Sequence, residues 1–161
     1  AKLIVKKSRF VAVNTQLNSS NLGFHVISKY LGANLITINE TEMRHELRNK
    51  SDDRVSLIKA LSKKLRSNYT NVTSGEMGSI IYNSSSKEIM SCPAFADKVR
   101  DKVGTGDSML AILAVSLYKK IDVKFSIFLS ALVAAENIQY MANKMSITKT
   151  NITKAVQSYL K

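Results

Sequence analysis

Apolar positions along this chain change their period several times, and each change marks an element. Short apolar runs at 10–14 and 34–38 predict strands, since they are too brief for helices. Between them Leu22, Val26, Ile27, Tyr30 and Leu31 recur at helical spacing, predicting a helix over 21–31 that Gly32 stops. A second amphipathic stretch opens at Asp52-Asp53 and carries Val55, Ile58, Leu61 and Leu65 on one face. Acidic residues at its start suit the helix dipole. A short helix is expected over 42–47 and a strand over 71–74. A hairpin should follow, with 79–82 paired to 88–91 across the turn-like Asn83-Ser84-Ser85-Ser86. Three helices close the chain, over about 106–118, 124–142 and 149–160. Strands alternating with helices argue for an α/β fold with a mostly parallel sheet covered on both faces, to which the late hairpin adds an antiparallel pair.

Length and charge narrow the picture. At 161 residues, 1–161 reads as one α/β domain, large enough to bury about two-thirds of its unfolded surface. The longest apolar run, Ala111 to Leu117, is too short to span a membrane. The basic start at Lys2, Lys6 and Lys7 leads into no sustained apolar core, so no secretory signal is visible. A single cysteine, Cys92, permits no internal disulfide, and the cytoplasm is the expected location. The formal charge of +12 raises the question of nucleic acid. The cations are spread along the chain rather than gathered in one tract interleaved with aromatics. A solvated basic surface that attracts anionic nucleotide and sugar phosphate is the better reading.

The chemistry concentrates in Asp101-Lys102-Val103-Gly104-Thr105-Gly106-Asp107, which runs straight into the apolar segment 108–115. Two glycines let the backbone turn tightly and approach a ligand. A helix starting there presents N–H groups and a positive dipole end, together a phosphate site. Asp107 at the mouth of such a site is no phosphate ligand, since like charges repel. It fits a base that takes a proton from a hydroxyl about to attack a phosphoryl group; the alternative is an aspartate that merely caps the helix. Two further pieces lie upstream. Asn39-Glu40-Thr41-Glu42 follows the strand at 34–38, and Thr73-Ser74-Gly75-Glu76-Met77-Gly78 begins at the end of the short strand at 71–74.

Taken in order, these pieces resemble three motifs of the ribokinase-like (PfkB) carbohydrate kinases: N-x-x-E, the T-x-G-x-x-G nucleotide loop, and D-x-x-G-[AT]-G-D. Val13-Asn14-Thr15-Gln16-Leu17-Asn18, with Gly23-Phe24-His25 beyond, resembles the branch that contains heptose-phosphate kinases. The resemblance implies a ribokinase-like three-layer α/β/α sandwich and ATP-dependent phosphorylation of a sugar or sugar-phosphate hydroxyl. Asp107 would be the catalytic base, and the N–H groups of Gly104, Thr105 and Gly106 would meet the charge that develops on the transferred phosphoryl. Alanine is usual in the family at Thr105, and threonine is small enough to keep the turn.

Asn39 and Glu42 stand three apart after a strand end, on one side of a turn, where a carboxylate can hold Mg²⁺ through its water shell. The plainer alternative is a capping Asn and an exposed Glu. Thr73, Ser74, Gly75 and Gly78 would let backbone approach the nucleotide, against the alternative of an ordinary turn. Asn14 ends the first strand on the side where α/β ligands collect. Ala131, with Ala134 and Ala135, would border the adenine pocket, although close helix packing explains small residues equally well. Asp101 matches the position of a monovalent-cation ligand, K⁺ in many members. The Gly-rich loop that completes such a site is not evident after Tyr140, where Ala142-Asn143-Lys144-Met145 stands instead. His25 and His45 lack partners at metal-ligand spacing.

The chain lacks an initiator Met and enters its first strand early, whereas family members run to roughly two domain-lengths. It is expected to be the C-terminal half of a kinase unit, a piece of a longer protein. The other half would carry the Gly-Gly sugar motif, most sugar contacts and a β-lid. Its expected partners are ATP, a sugar or sugar phosphate, and either that other half or a second copy covering the open sheet edge. Kinases of the heptose-phosphate branch are often joined to a nucleotidyltransferase domain, so the resemblance leaves a bifunctional parent as an alternative.

Overall fold

In the computed structural model, which describes residues 1–16, 26–95, 104–138 and 148–159, three short strands lie side by side and parallel. They are β1 (Ala12–Asn14), β2 (Leu35–Asn39) and β3 (Tyr69–Thr73), followed in the sheet by β4 (Ser79–Asn83) and β5 (Glu88–Cys92). Ser84, just past β4, donates its N–H to the carbonyl of Asn68, just before β3, at 2.9 Å. Residues 74–78 join the other ends of the same two strands, so β4 runs antiparallel to β3. The four-residue turn to β5 completes the expected hairpin. Four of the five residues of β2 are buried, the near-continuous apolar run that a central parallel strand requires.

By contacts the chain divides into two units, one of Ala1–Ser74 with Ile80–Ser91, the other of Gly75–Ser79 with Cys92–Lys161. In the first, α2 (Glu40–Leu47) and α3 (Arg54–Leu65) pack beside β2 and β3. The Asp53 carboxylate caps α3, accepting from the N–H groups of Val55 and Ser56 at 2.9 and 3.0 Å. Its buried face is Leu57, Ile58, Leu61, Ser62 and Leu65, whereas Val55 is 43% exposed. Three of the four apolar positions expected to face the core do so. Val55 lies about 90° from the centre of that arc at 100° per residue, in the first turn. Asn34 joins the strand starts, accepting from the Val11 N–H at 2.8 Å and donating to Asn68 Oδ1 at 3.2 Å.

The first unit also departs from the expected pattern. A short helix, α1 (Lys2–Lys7), precedes β1 with Leu3 and Ile4 exposed, an element that its basic composition did not announce. Of the helix expected over 21–31, residues 21–25 lie outside the described residues, and the rest forms a single 3-10 turn, Ile27–Tyr30. Gly32 ends it at φ 86°, as its position suggested.

In the second unit, α4 (Thr105–Tyr118) and α5 (Val123–Ile138) are joined by four residues and pack on one another. The Asp122 carboxylate accepts from the Phe125 N–H at 2.9 Å. Ser126 and Ser130, buried in this apolar helix, satisfy their hydroxyls on the carbonyls of Asp122 and Ile127 at 2.7 and 2.8 Å. The last helix, α6 (Lys149–Tyr159), lies against α5, and the Phe95 ring meets Phe128 edge to face at 5.6 Å and the tilted Tyr159 ring at 4.7 Å. Among the described residues no helix is long and apolar enough to cross a membrane.

Candidate active site

Because β1, β2 and β3 run parallel, their carboxyl ends fall at one edge of the sheet, where ligands of open α/β sheets gather. Asn39 and Thr73 end β2 and β3 directly opposite one another in the register. Asn14 ends β1 opposite Thr37, two residues short of Asn39. Ser74 directly follows Thr73, so the four positions expected to contact nucleotide in this unit share one end of the sheet.

Asn39 and Glu42 also come together, in a reciprocal cap. The Asn39 carboxamide oxygen accepts from the Glu42 N–H at 2.8 Å, and Glu42 Oε2 accepts from the Asn39 N–H at 3.0 Å. The expected capping alternative thus holds for Asn39. Glu42, however, is buried at 6% exposure rather than exposed.

Glu40, between them, drew no attention in the sequence because exposed glutamates are common in first helical turns. Here its carboxylate is bound on both sides. Oε1 accepts from Arg44 Nη2 at 2.7 Å and Nε at 3.1 Å, and Oε2 accepts from the Ser74 hydroxyl at 2.8 Å. Arg54 Nη1 stands 3.9 Å from Oε2. Partial burial raises the Glu40 pKa, but the hydrogen bonds from Arg44 and Ser74 and the charges of Arg44 and Arg54 outweigh it, holding the group below its ordinary 4.5.

The remaining expected residues lie in the second unit. Gly75 has φ 57°, and a Cβ there would meet nothing within 4 Å, so the loop is open at this point. Gly78 has φ 76°, and a Cβ there would collide with the Cys92 carbonyl oxygen and the Pro93–Ala94 backbone. One glycine keeps space clear; the other allows close chain packing. Gly104 takes φ 78° as the residue before α4, and Thr105, Gly106 and Asp107 form the first turn. The N–H groups of a first turn have no partner within their own helix. Asp107 is exposed. The buried Thr105 Oγ1 has no hydrogen-bond partner among the described residues.

Sequence reasoning missed what holds this turn. The Ser108 hydroxyl donates to the Gly104 carbonyl at 3.0 Å, and Asn137 Nδ2 of α5 donates to the Ser108 hydroxyl at 3.0 Å. The available signal was an asparagine in the last turn of a mostly apolar helix. Ala131, Ala134 and Ala135 are buried on α5, the helix that packs on α4. Asp101, His25 and residues 139–147 lie outside the described residues. His45 is exposed, and burial pushes the Cys92 thiol up to about 11, so it carries little thiolate at neutral pH. A cavity of about 470 Å³ in the first unit, lined by Lys59, Lys63, Arg66, Asn68, Tyr82 and Ser84, opens at the sheet end opposite Asn39 and Thr73.

The model of the pfkB family of carbohydrate kinases matches residues 2–149. The chain belongs to this family. It is 37% identical over 111 residues to the bifunctional protein HldE of Campylobacter fetus, covering 67% of this chain and 24% of that protein. It is 38% identical over 101 residues to the bifunctional protein HldE of Helicobacter pylori, covering 60% and 21%. These relatives agree with the branch to which the segment 13–18 points. The chain spans about a quarter of the length of these relatives. Among solved structures, ribokinase from Thermotoga maritima matches 96% of this chain and 52% of its own, with a TM-score of 0.75 and 17% identity. Phosphofructokinase-2 from Escherichia coli in complex with potassium matches 83% and 43%, with a TM-score of 0.70 and 12% identity. These likenesses show that the fold is the ribokinase-like α/β fold.

Proposed function

We propose that the protein containing this chain transfers the γ-phosphoryl group of ATP to a hydroxyl of a sugar or sugar phosphate. The observation that carries this reading is the left-handed Gly104 immediately before α4, with an exposed Asp107 in the first turn of that helix. Such a turn offers the N–H groups of Thr105 and Gly106 and the helix dipole to phosphoryl oxygens. Asp107 takes the proton of the acceptor hydroxyl as its oxygen attacks phosphorus, and ADP leaves. The nucleotide contacts that the family resemblance implies are Asn14, Asn39, the Thr73–Gly78 loop and Ala131. Little covalent chemistry is asked of the protein, so positioning and electrostatics supply the acceleration.

Mg²⁺ would neutralise the polyphosphate charge when bound. One oxygen of Glu42 already accepts the Asn39 N–H, and among the described residues no three acidic, histidine or cysteine side chains cluster as a metal site. That donor set fits an ion held largely by substrate and water, with Glu42 behind the water shell. A K⁺ site is proposed no further than Asp101. Consumption of ATP suits the cytoplasm.

A second reading concerns the chain by itself. It spans 24% of a relative named bifunctional, and we read it as the nucleotide-binding C-terminal half of a kinase unit, a reading supported by the order of its motifs. Alone it would bind nucleotide and transfer phosphoryl feebly; the parent would carry a nucleotidyltransferase as well. The sugar-phosphate acceptor class follows the resemblance to the heptose-phosphate branch. Calorimetric titration with ATP and Mg²⁺, then ADP release in the presence of sugars and sugar phosphates, tests the proposal. We expect saturable adenine-nucleotide binding that survives 200 mM salt, a change that costs a multi-phosphate nucleic-acid contact about 10³–10⁵ in affinity. No nucleotide binding by the full-length protein would refute the reading.

A further inference from the structure

The carboxyl ends of β2 and β3 are joined by a side-chain bridge that the family motifs do not include. Glu40 is the first residue of α2, directly after Asn39, and Ser74 directly follows Thr73 at the end of β3. Their side chains meet at 2.8 Å across 34 residues of sequence. The other oxygen of Glu40 is occupied by Arg44, whose Nη1 donates to the carbonyls of Lys50 and Asp52 at 3.1 and 3.0 Å. One carboxylate thereby links the start of α2, the turn before α3 and the residue that leads into Gly75. Hydrogen bonds to a charged partner are shorter and stronger than neutral ones.

We propose that Glu40 is a positioning residue for the nucleotide, holding the Ser74 end of the Thr73–Gly78 loop at a set distance from the Asn39 turn through its bond to the Ser74 hydroxyl. The inference rests on the kinase reading and adds to it a residue outside the Asn39/Glu42 pair. Asn39 and Thr73 are already fixed by the sheet register. Ser74 is the first residue past β3, where the ladder no longer holds the chain, so a side-chain bond there has the most to constrain. Beyond it the loop forms a single 3-10 turn, Gly75–Met77, closed by the Gly78 N–H on the Gly75 carbonyl at 3.0 Å, and a Cβ on Gly75 would meet nothing within 4 Å. The proposed role of Glu40 is indirect. It acts through Ser74, and its loss should raise the KM for ATP far more than it lowers kcat.

The test uses the full-length protein with Glu40→Ala, Glu40→Gln, Ser74→Ala and the Glu40→Ala/Ser74→Ala double variant. Steady-state kinetics in ATP and in acceptor are measured together with ATP titration calorimetry and thermal melting. Glu40→Ala should raise the ATP KM and Kd about tenfold, the lower end of the worth of a charge-assisted bond. The acceptor KM should stay within a factor of about two and kcat within about three. Ser74→Ala should shift the same constants in the same direction, and the double variant should be no worse than Glu40→Ala, because both remove one bond. Glu40→Gln, which keeps an acceptor for Ser74, should recover part of the affinity and guards against a variant that fails to fold. Unchanged ATP constants in folded Glu40→Ala, fully additive single effects, or equal loss in both substrates and kcat would each overturn the inference while leaving the kinase reading intact. Failure of the unsubstituted protein to bind ATP would overturn both.

Discussion

Asn137 on α5 donates its amide to the Ser108 hydroxyl at 3.0 Å, and Ser108 passes the connection on to the Gly104 carbonyl at the same distance. A buried side chain one helix away thus steadies the backbone of the Gly104–Gly106 turn. Asn137→Ala should leave Ser108 without its donor and lower stability by about 1 kcal/mol, the usual net worth of such a bond. It should also lower kcat more than it alters ATP affinity, since the turn serves the travelling phosphoryl. Urea unfolding of the variant beside its steady-state kinetics reads both effects.

Removing the proposed base is the sharper experiment. Asp107→Asn should lower kcat by about 10²–10⁴, the range for a positioned proton acceptor, with ATP affinity nearly unchanged because the backbone donors remain. A full-length variant that kept most of its activity would take Asp107 out of the mechanism.

The two loop glycines should respond differently to the same change. Gly78→Ala puts a methyl group into the Cys92–Ala94 backbone as well as at positive φ, and should destabilise by well over the roughly 1 kcal/mol of an average substitution. Gly75→Ala meets open space and incurs only the left-handed strain of about 1–2 kcal/mol. Its effect should show in nucleotide affinity. Comparing melting temperatures with ATP titrations separates the two.

Thr105 carries a buried hydroxyl with no partner among the described residues. An unsatisfied buried polar atom costs about 1–3 kcal/mol. Thr105→Ala should therefore be neutral or stabilising by thermal melt and should keep activity, whereas a loss of kcat would show that the hydroxyl serves the reaction.

Acid should weaken the Glu40 bridge. Its folded pKa is lowered from 4.5 by Arg44, Ser74 and Arg54 in spite of the opposing effect of burial, so the charged form stabilises the fold above the unfolded pKa. That contribution is lost as pH falls through the depressed folded value. Glu40→Gln should be less stable than the parent at pH 7, and the gap should begin to narrow as pH falls below the ordinary 4.5 and close below the depressed folded value. Denaturant midpoints at several pH values check the sign.

Much of this was legible from local pattern. The strands at 34–38 and 79–82 and the helix behind Asp53 follow from period and capping chemistry, which act within a few residues. The Gly104–Asp107 turn was legible for the same reason: positive φ and a helix start are local demands. Elements lacking a local signature were not. The basic hexapeptide of α1 carries no amphipathic period, and the 21–31 pattern, read as one helix, is a 3-10 turn in its described part. Val55 fits the helical period yet stands outside the buried arc, because period fixes the angle between side chains but not which sector the sheet covers.

By itself the sequence determined the family, the order of the motifs and the candidate base, since these reside in residue types at short fixed spacings. Only the tertiary structure decided that Glu42 is turned inward as a cap, that Glu40 reaches Ser74, and that Asn137 supports the Gly104 turn. Each of those bonds joins residues by direction and distance in space, and a hydrogen bond between positions 29 or 34 residues apart leaves no period or motif for a linear reading to find.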